Sequence, residues 1–266
     1  MRIALGLEYH GGGYCGWQTQ PNGCGIQDVL QRALSNIAEH AVEVVSAGRT
    51  DTGVHALEQV IHFDTLAVRP LTAWVRGANA NLPNDVAVLW AHPVSNEFHA
   101  RYSARSRSYR YLLLNRPQRA AAAHGRVGWF HQTLDVDAIN EAAQILVGHH
   151  DFSAFRSSEC QAKTPVKTIA ECHVYRHDDL VIFELRADGF LHHMVRNLVG
   201  SLVYVGSGRS SQTWLRDVLQ SKDRSLAAPT FAADGLYLTA IGYDAGWGLP
   251  QKATHSGALP LPELIW

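Results

Sequence analysis

Cysteine is scarce in this chain. Cys15, Cys24, Cys160 and Cys172 are the four, and no two stand in a C-x-x-C pair. That excludes the usual spacing of a zinc ribbon or a dithiol redox motif, and we expect reduced thiols in a cytosolic protein rather than a disulfide framework. A strong charge excess is also missing. The formal net charge is -1, which argues against a general nucleic-acid binder and makes the distribution of charge more informative than its total. No apolar run approaches membrane-spanning length. The N-terminus enters a strand-like run at Ile3–Leu7 without a basic leader or cleavage site, so the expected compartment is the cytoplasm. Glycine clusters such as Gly11–Gly13 can cradle phosphates, but no G-x-x-x-x-G-K follows, so a nucleotide-binding loop is not expected. Fifteen histidines are scattered with no H-E-x-x-H, so no metal site is expected. At 266 residues the chain can bury roughly three-quarters of its unfolded surface without staples.

Strand and helix signals alternate. Residues 2–9 read as a buried strand. Ile26, Val29, Leu30, Ala33, Leu34 and Ile37 recur at helical spacing over about 26–39. Strands are expected at 42–47, 57–64 and 86–90, with a helix from Pro70 through the low 70s. The first hundred residues therefore run β-α-β-β-α-β, the ferredoxin-like order. The second half repeats the idea loosely. Strands are expected at 106–114, 168–175, 180–185 and 235–243, and helices after Asp135 or Asp137, over 191–205 and around Trp214–Leu219. The simplest architecture is α+β, with two ferredoxin-like α/β halves and mainly antiparallel sheets packed side by side. The halves would be residues 1–104 and 105–266, with a loosely attached tail beyond Gly246.

Three stretches carry chemistry. In Ala47–Ala56 a strand runs into Gly-Arg-Thr-Asp-Thr-Gly before a second apolar run resumes. An Arg-x-Asp turn by itself reads as a hairpin with a surface ion pair. A carboxylate beside a guanidinium at a glycine-bounded strand end also suits an ionised nucleophile, because the cation lowers its pKa. Between Glu97 and Asp135 there is no acid, yet Arg101, Arg105, Arg107, Arg110, Arg116, Arg119 and Arg126 lie there. On an extended chain Arg105, Arg107, Tyr109 and Tyr111 share one face, placing phosphate contacts beside rings on which a base can stack. A solvated edge strand is the plainer alternative. Arg196 sits in an apolar helix opened by His192-His193, where a guanidinium is costly unless it meets an acid, such as Asp51, or snorkels to the surface. His192 and His193 would diverge by about a hundred degrees on that helix, too far apart to hold one metal simply. Tyr14–Gln18 forms a glycine-rich turn that suits either packing or an RNA-facing loop.

These stretches together resemble the tRNA pseudouridine synthase A family. Gly48-Arg49-Thr50-Asp51-Thr52-Gly53-Val54-His55-Ala56 is similar to its signature loop. Glu8-Tyr9, Tyr14, Gly16-Trp17-Gln18, Ile26-Gln27, Asn79–Pro83, Phe98–Arg101, Tyr109–Tyr111 and Phe190 through Asn197 to Gly200 follow in the family's order. His10, Thr52 and Cys24-Gly25 depart from its usual residues. The resemblance implies the pseudouridine synthase fold, with its central cleft, and conversion of uridine to pseudouridine at about positions 38 to 40 of the tRNA anticodon stem-loop. It implies no metal or organic cofactor and a homodimer. By the same resemblance Asp51 is the nucleophile, Arg196 its counter-charge, and Tyr109 lies against the uracil. Arg49, Arg101, Arg105, Arg107, Arg110 and Gln18 are expected to meet RNA. Two other readings stand beside it: an RNA-binding module without chemistry, and a hydrolase pairing Asp51 with His55 or His99.

Overall fold

The run Ile3–Leu7 is apolar without alternation, as a strand covered on both faces requires. In the computed structural model, which describes residues 1–250, it lies within β1 (Arg2–Tyr9), whose buried stretch sits between two antiparallel neighbours. The chain divides into two compact units, Met1–Arg105 with the segment from Leu238 onward, and Ser106–Tyr237.

In the first unit, β1 is followed by α1 (Ile26–Ala38), which buries Ile26, Leu30, Ala33, Leu34 and Ala38 along one stripe. It stops at Glu39, which adopts the left-handed conformation at φ 59°. Next come β2 (Val44–Ser46) and β3 (His55–Asp64), paired through Val44–Phe63 and Ser46–Ile61. A wide turn at Ala73–Gly77 leads into the short α2 (Ala78–Asn81) and then β4 (Val86–Val94). The sheet order β4-β1-β3-β2 is the ferredoxin-like arrangement that the β-α-β-β-α-β reading requires.

The second unit begins within β5 (Ala104–Asn115), which pairs antiparallel with β9 and parallel with the short β6 (Gly128–Phe130). After β6 come α3 (Val136–Ala143), β7 (Gly148–Asp151), β8 (Val166–His177) and β9 (Leu180–Ala187), in sheet order β5-β9-β8-β7. Asp135 caps α3, its carboxylate accepting from the Ala138 amide at 2.9 Å. The hairpin between β8 and β9 turns at Asp178, φ 50°. α4 (Met194–Gly206) is buried almost all round, as its apolar sequence demands, and α5 (Gln212–Ser221) is capped by Ser211. β6 and β7 are too short to leave a periodic signal.

The last strand, β10 (Leu236–Tyr243), belongs to the first unit from Leu238 and lies beside β3. Sequence order groups residues 105–266 together, but β2 covers only the Ile61–Phe63 end of β3, leaving edge for another strand. The expected tail falls outside the described residues from 251. Before that point Trp247 packs edge-on against Phe98 at 5.3 Å. Among the described residues no helix is long and apolar enough to cross a membrane.

One expectation is overturned. Cys15 and Cys24 form a disulfide, their Cα atoms 5.4 Å apart, in a loop folded back by the bond from the Cys15 amide to the Cys24 carbonyl at 2.9 Å. A nine-residue separation carries no signal of such a fold-back. Cys160 and Cys172 are buried free thiols, and burial pushes the Cys172 thiol up to about 12.

Candidate active site

The Asp51 loop is fixed by its neighbours in the first unit. As β2 ends, the Ala47 amide donates to the Val60 carbonyl at 2.8 Å, and the buried Gln59 side chain donates to the Gly48 carbonyl at 2.7 Å. Thr50 is buried, its hydroxyl 2.9 Å from the Tyr9 hydroxyl, and its carbonyl accepts from the Trp17 amide at 3.0 Å. The Val54 amide donates to the Asp51 carbonyl at 3.1 Å, closing a turn with Gly53 at φ 81°. That is the position where a type II turn needs glycine. A Cβ on Gly16, itself at φ 86°, would lie 2.8 Å from the Thr50 carbonyl oxygen and 3.0 Å from the Asp51 carbonyl carbon. Close backbone approach, possible only for glycine, thus holds the loop from outside. Asp51 itself is half-buried between the buried Thr50 and Val54.

The Tyr9 phenol is pushed up to about 12, chiefly by burial, so it stays protonated and serves as a hydrogen-bonding strut. Both histidines of the hydrolase reading accept from backbone amides. His55 is buried and its Nδ1 accepts from the Gly11 amide at 3.0 Å. His99 Nδ1 accepts from the amides of Arg101 and Tyr102, both at 3.2 Å. His10, one of the departures from the family pattern, packs its ring 4.5 Å from that of His55.

The second unit places Tyr109 opposite Leu185 on β9, half-buried, with Phe190 edge-on to its ring at 5.2 Å. Tyr111, on the same face, is fully buried and donates to the Ala232 carbonyl at 3.0 Å, so it is a core residue rather than a stacking platform. Burial, followed by the field of Asp234, raises its pKa far above the ordinary tyrosine value. Arg196 is half-buried in the first turn of α4, its Nε donating to the Phe231 carbonyl at 2.8 Å, while the Phe231 amide donates to the Arg196 carbonyl at 3.3 Å. This anchoring, rather than snorkelling, fixes the base of the guanidinium. A Cβ on Gly200 would lie 2.4 Å from the Pro229 carbonyl oxygen, so α4 presses directly on the segment carrying Phe231. Asn197 ties the same segment down, accepting from Thr230 at 2.7 Å and from Arg224 at 3.1 Å.

His192 and His193 do not open the helix as expected. His193 is its left-handed N-cap at φ 62°, and the two rings sit 4.0 Å apart rather than diverging by a helical step.

The arginine stretch is not bare of counter-charge, because its acids come from elsewhere in the chain. Arg110 is buried against Glu184 directly across the ladder, and Tyr175 donates to the same carboxylate at 3.3 Å. This corrects the expectation that Arg110 meets RNA. Its side chain points to the opposite face of β5 from Tyr109, where Glu184 offsets its buried charge. Arg116 reaches Asp179 at 3.2 Å and Arg105 reaches Asp244 at 2.8 Å, though Arg105 stays largely exposed. Arg107 donates to the Asp188 carbonyl at 3.0 Å. Arg49 and Arg101 are exposed, and the Arg101 guanidinium lies 5.8 Å from the centre of the Tyr102 ring. Gln18 is half-buried next to Trp17.

Sequence reasoning missed the struts around Asp51, namely Tyr9, Gly11, Gly16 and Gln59, and the Phe231 anchor. The Gly-rich Gly11–Trp17 turn was visible as a turn but not as a seat. Phe231 has no signal at all in a loop of mixed composition.

A model of the tRNA pseudouridine synthase family matches residues 7–103 and 142–244. The chain is 57% identical over 253 residues to tRNA pseudouridine synthase A of Thiobacillus denitrificans, covering 95% of this chain and 97% of that protein. It is 56% identical over 250 residues to the protein of the same name in Methylobacillus flagellatus, covering 94% and 96%. With that of Burkholderia thailandensis the identity is 54% over 266 residues, covering 100% and 97%. A chain of a solved Cbf5-Nop10-Gar1 complex aligns with 89% of this chain and 49% of its own at a TM-score of 0.39 and 11% identity, a likeness too slight to build on.

Proposed function

The chain belongs to the tRNA pseudouridine synthase family, and from that premise we propose that it isomerises uridine to pseudouridine in the tRNA anticodon stem-loop, around positions 38 to 40, with Asp51 as nucleophile. The observation that supports Asp51 most directly is the seating of its loop. Backbone bonds from Trp17 and Val54, the Tyr9–Thr50 contact and the apposed Gly16 restrain the backbone that carries the half-buried Asp51 before substrate arrives. Such restraint is what a nucleophile needs, since geometry settled in advance lowers the entropy cost of reaction.

The reaction is redox-neutral. Asp51 attacks the ribose C1′ or the pyrimidine C6, the bond from C1′ to N1 breaks, the uracil turns, and its C5 bonds to C1′; the Asp51 oxygen is released, the C5 proton leaves and N1 takes up a proton. Tyr109, with Phe190 bracing its ring, stacks on the uracil and assists removal of that proton. Arg196 supplies the counter-charge for the Asp51 carboxylate, and its Nε bond to Phe231 gives it a fixed base. Arg49 holds the place of the extruded nucleotide. Arg101, Arg105, Arg107 and Gln18 contact the RNA, and the working form is a cytoplasmic homodimer.

Tritium release from tRNA labelled at uridine C5 tests the reading. Wild type is expected to release tritium and Asp51→Ala to bind tRNA without turnover. Silence from wild type sinks the isomerase proposal, and turnover by Asp51→Ala sinks the nucleophile. Mapping the product on unfractionated tRNA checks the positions, and light scattering at working concentration checks the dimer.

A further inference from the structure

The seat of the Asp51 loop is itself closed by a covalent bond. Gly16, the residue after Cys15, is the one pressed on the backbone of Thr50, Asp51 and Thr52. Just beyond Cys24, the Ile26 amide donates to the Gly16 carbonyl at 3.1 Å and the Gln27 amide to the Trp17 carbonyl at 3.0 Å. The Cys15–Cys24 bond therefore joins the two ends of the arch that carries Gly16 and Trp17. Its accessibility sets it apart from the other thiols: Cys15 is exposed and Cys24 partly so, whereas Cys160 and Cys172 are buried. Reagents in solution reach only the first pair.

We propose that Cys15 and Cys24 form a reversible thiol–disulfide site whose closed state stiffens the arch and raises turnover at Asp51. The link to turnover rests on the function proposed above. Oxidation uses a small-molecule disulfide. One cysteine thiolate attacks it, releasing one thiol and leaving a mixed disulfide, and the second cysteine thiolate then displaces the other thiol. Two cysteine thiols and one external disulfide become the internal disulfide and two external thiols. Small-molecule thiols run the same two exchanges backward. Opening the bond leaves the arch held by hydrogen bonds and the packing of Trp17 without a covalent tie, so the loop keeps its fold but gains motion where it touches Asp51.

The test uses the whole protein equilibrated in mixtures of oxidised and reduced glutathione. Alkylation followed by mass spectrometry reads the bond, and hydrogen exchange reads the Trp17 and Val54 amides. Tritium release from C5-labelled tRNA reads turnover. We expect a Cys15–Cys24-linked peptide in the oxidised mixtures, lighter by about 2 Da than its reduced form, with Cys160 and Cys172 unlinked. On reduction both amides should exchange faster and kcat should fall about threefold or more, both recovering on reoxidation. Cys15→Ser/Cys24→Ser should hold the reduced rate in every mixture. The proposal is overturned if the pair stays reduced in excess disulfide, if amide exchange or kcat is equal in the two states, or if the double variant still responds. Amide exchange is readable in an inactive protein, so wild type without turnover in any mixture counts against the isomerase reading alone. Exchange that then differs between states supports the switch, and exchange that does not overturns it.

Discussion

The Tyr9 hydroxyl lies 2.9 Å from the Thr50 hydroxyl; both side chains are buried, and Thr50 immediately precedes Asp51 in the chain. A strand from the start of the unit thus props the proposed catalytic loop from beneath. Tyr9→Phe keeps the ring, and with it the packing on Trp17 at 6.1 Å, but leaves the Thr50 hydroxyl buried without that partner. The expected loss is about 1–2 kcal/mol of stability, and several-fold in kcat with little change in KM. Thermal unfolding and steady-state turnover check both. Equal losses in kcat and KM-dependent binding would mean that the strut shapes the RNA surface rather than the loop.

Gly16→Ala makes a sharper demand. At φ 86° an alanine is strained, and its Cβ would press on the Thr50 and Asp51 backbone rather than on a side chain able to swing away. Destabilisation of about 1–3 kcal/mol is expected, with at least a tenfold loss of turnover as the loop shifts. Gly48→Ala is the control, because a Cβ there meets nothing within 4 Å. Its stability should stay within about 0.5 kcal/mol of wild type. Similar unfolding temperatures for the two variants would show that the loop yields easily.

How much of this was legible beforehand follows from what leaves a pattern. The stripe Ile26, Leu30 and Leu34 and the unbroken apolar run of β1 are periodic, so α1 and the central strand could be read directly. The Asp51 loop was legible as a motif, since its glycine and flanking strands are local. The struts were not, because Tyr9 and Gln59 reach Thr50 and Gly48 through tertiary contact. The arginine stretch misled for the same reason. Scanning neighbours in sequence shows no acid, while β-pairing brings Glu184 directly opposite Arg110. The Cys15–Cys24 bond was misread because compartment rules count spacings and cannot see an arch folding back.

The Arg110–Glu184 pair separates structural from RNA-contacting arginines. Arg110→Met should lower stability by about 1–3 kcal/mol, since Glu184 keeps a partly buried charge without its cation, while leaving the salt dependence of tRNA affinity unchanged. Arg101→Ala should leave stability nearly unaltered and reduce the slope of log affinity against log salt by about one. Filter binding across a salt series, with melting curves alongside, distinguishes them. A reduced slope for Arg110→Met would return that residue to the RNA surface.

His62 links the fold of the first unit to pH. It is buried on β3, its Nδ1 accepts from the Ala100 amide at 3.1 Å, and its ring lies 4.9 Å from that of His99. Burial first, then the nearby positive charge of Arg2, lowers its pKa to about 4. The folded chain therefore holds the neutral ring, whereas the unfolded chain takes up a proton once pH falls below about 6.5. Stability from this site is complete above that pH, declines as pH falls from about 6.5 toward 4, and is lost below both values. The loss should amount to about 1–2 kcal/mol, less than the full shift implies because solvent screens part of the site. His62→Gln keeps an acceptor for the Ala100 amide and cannot titrate. The difference in unfolding free energy between wild type and variant, measured by denaturant titration at steps from pH 7.5 to 4, should narrow or reverse on acidification. A difference that stays constant across that range would show that the protonated ring is tolerated beside Ala100 and that His62 contributes nothing to acid sensitivity.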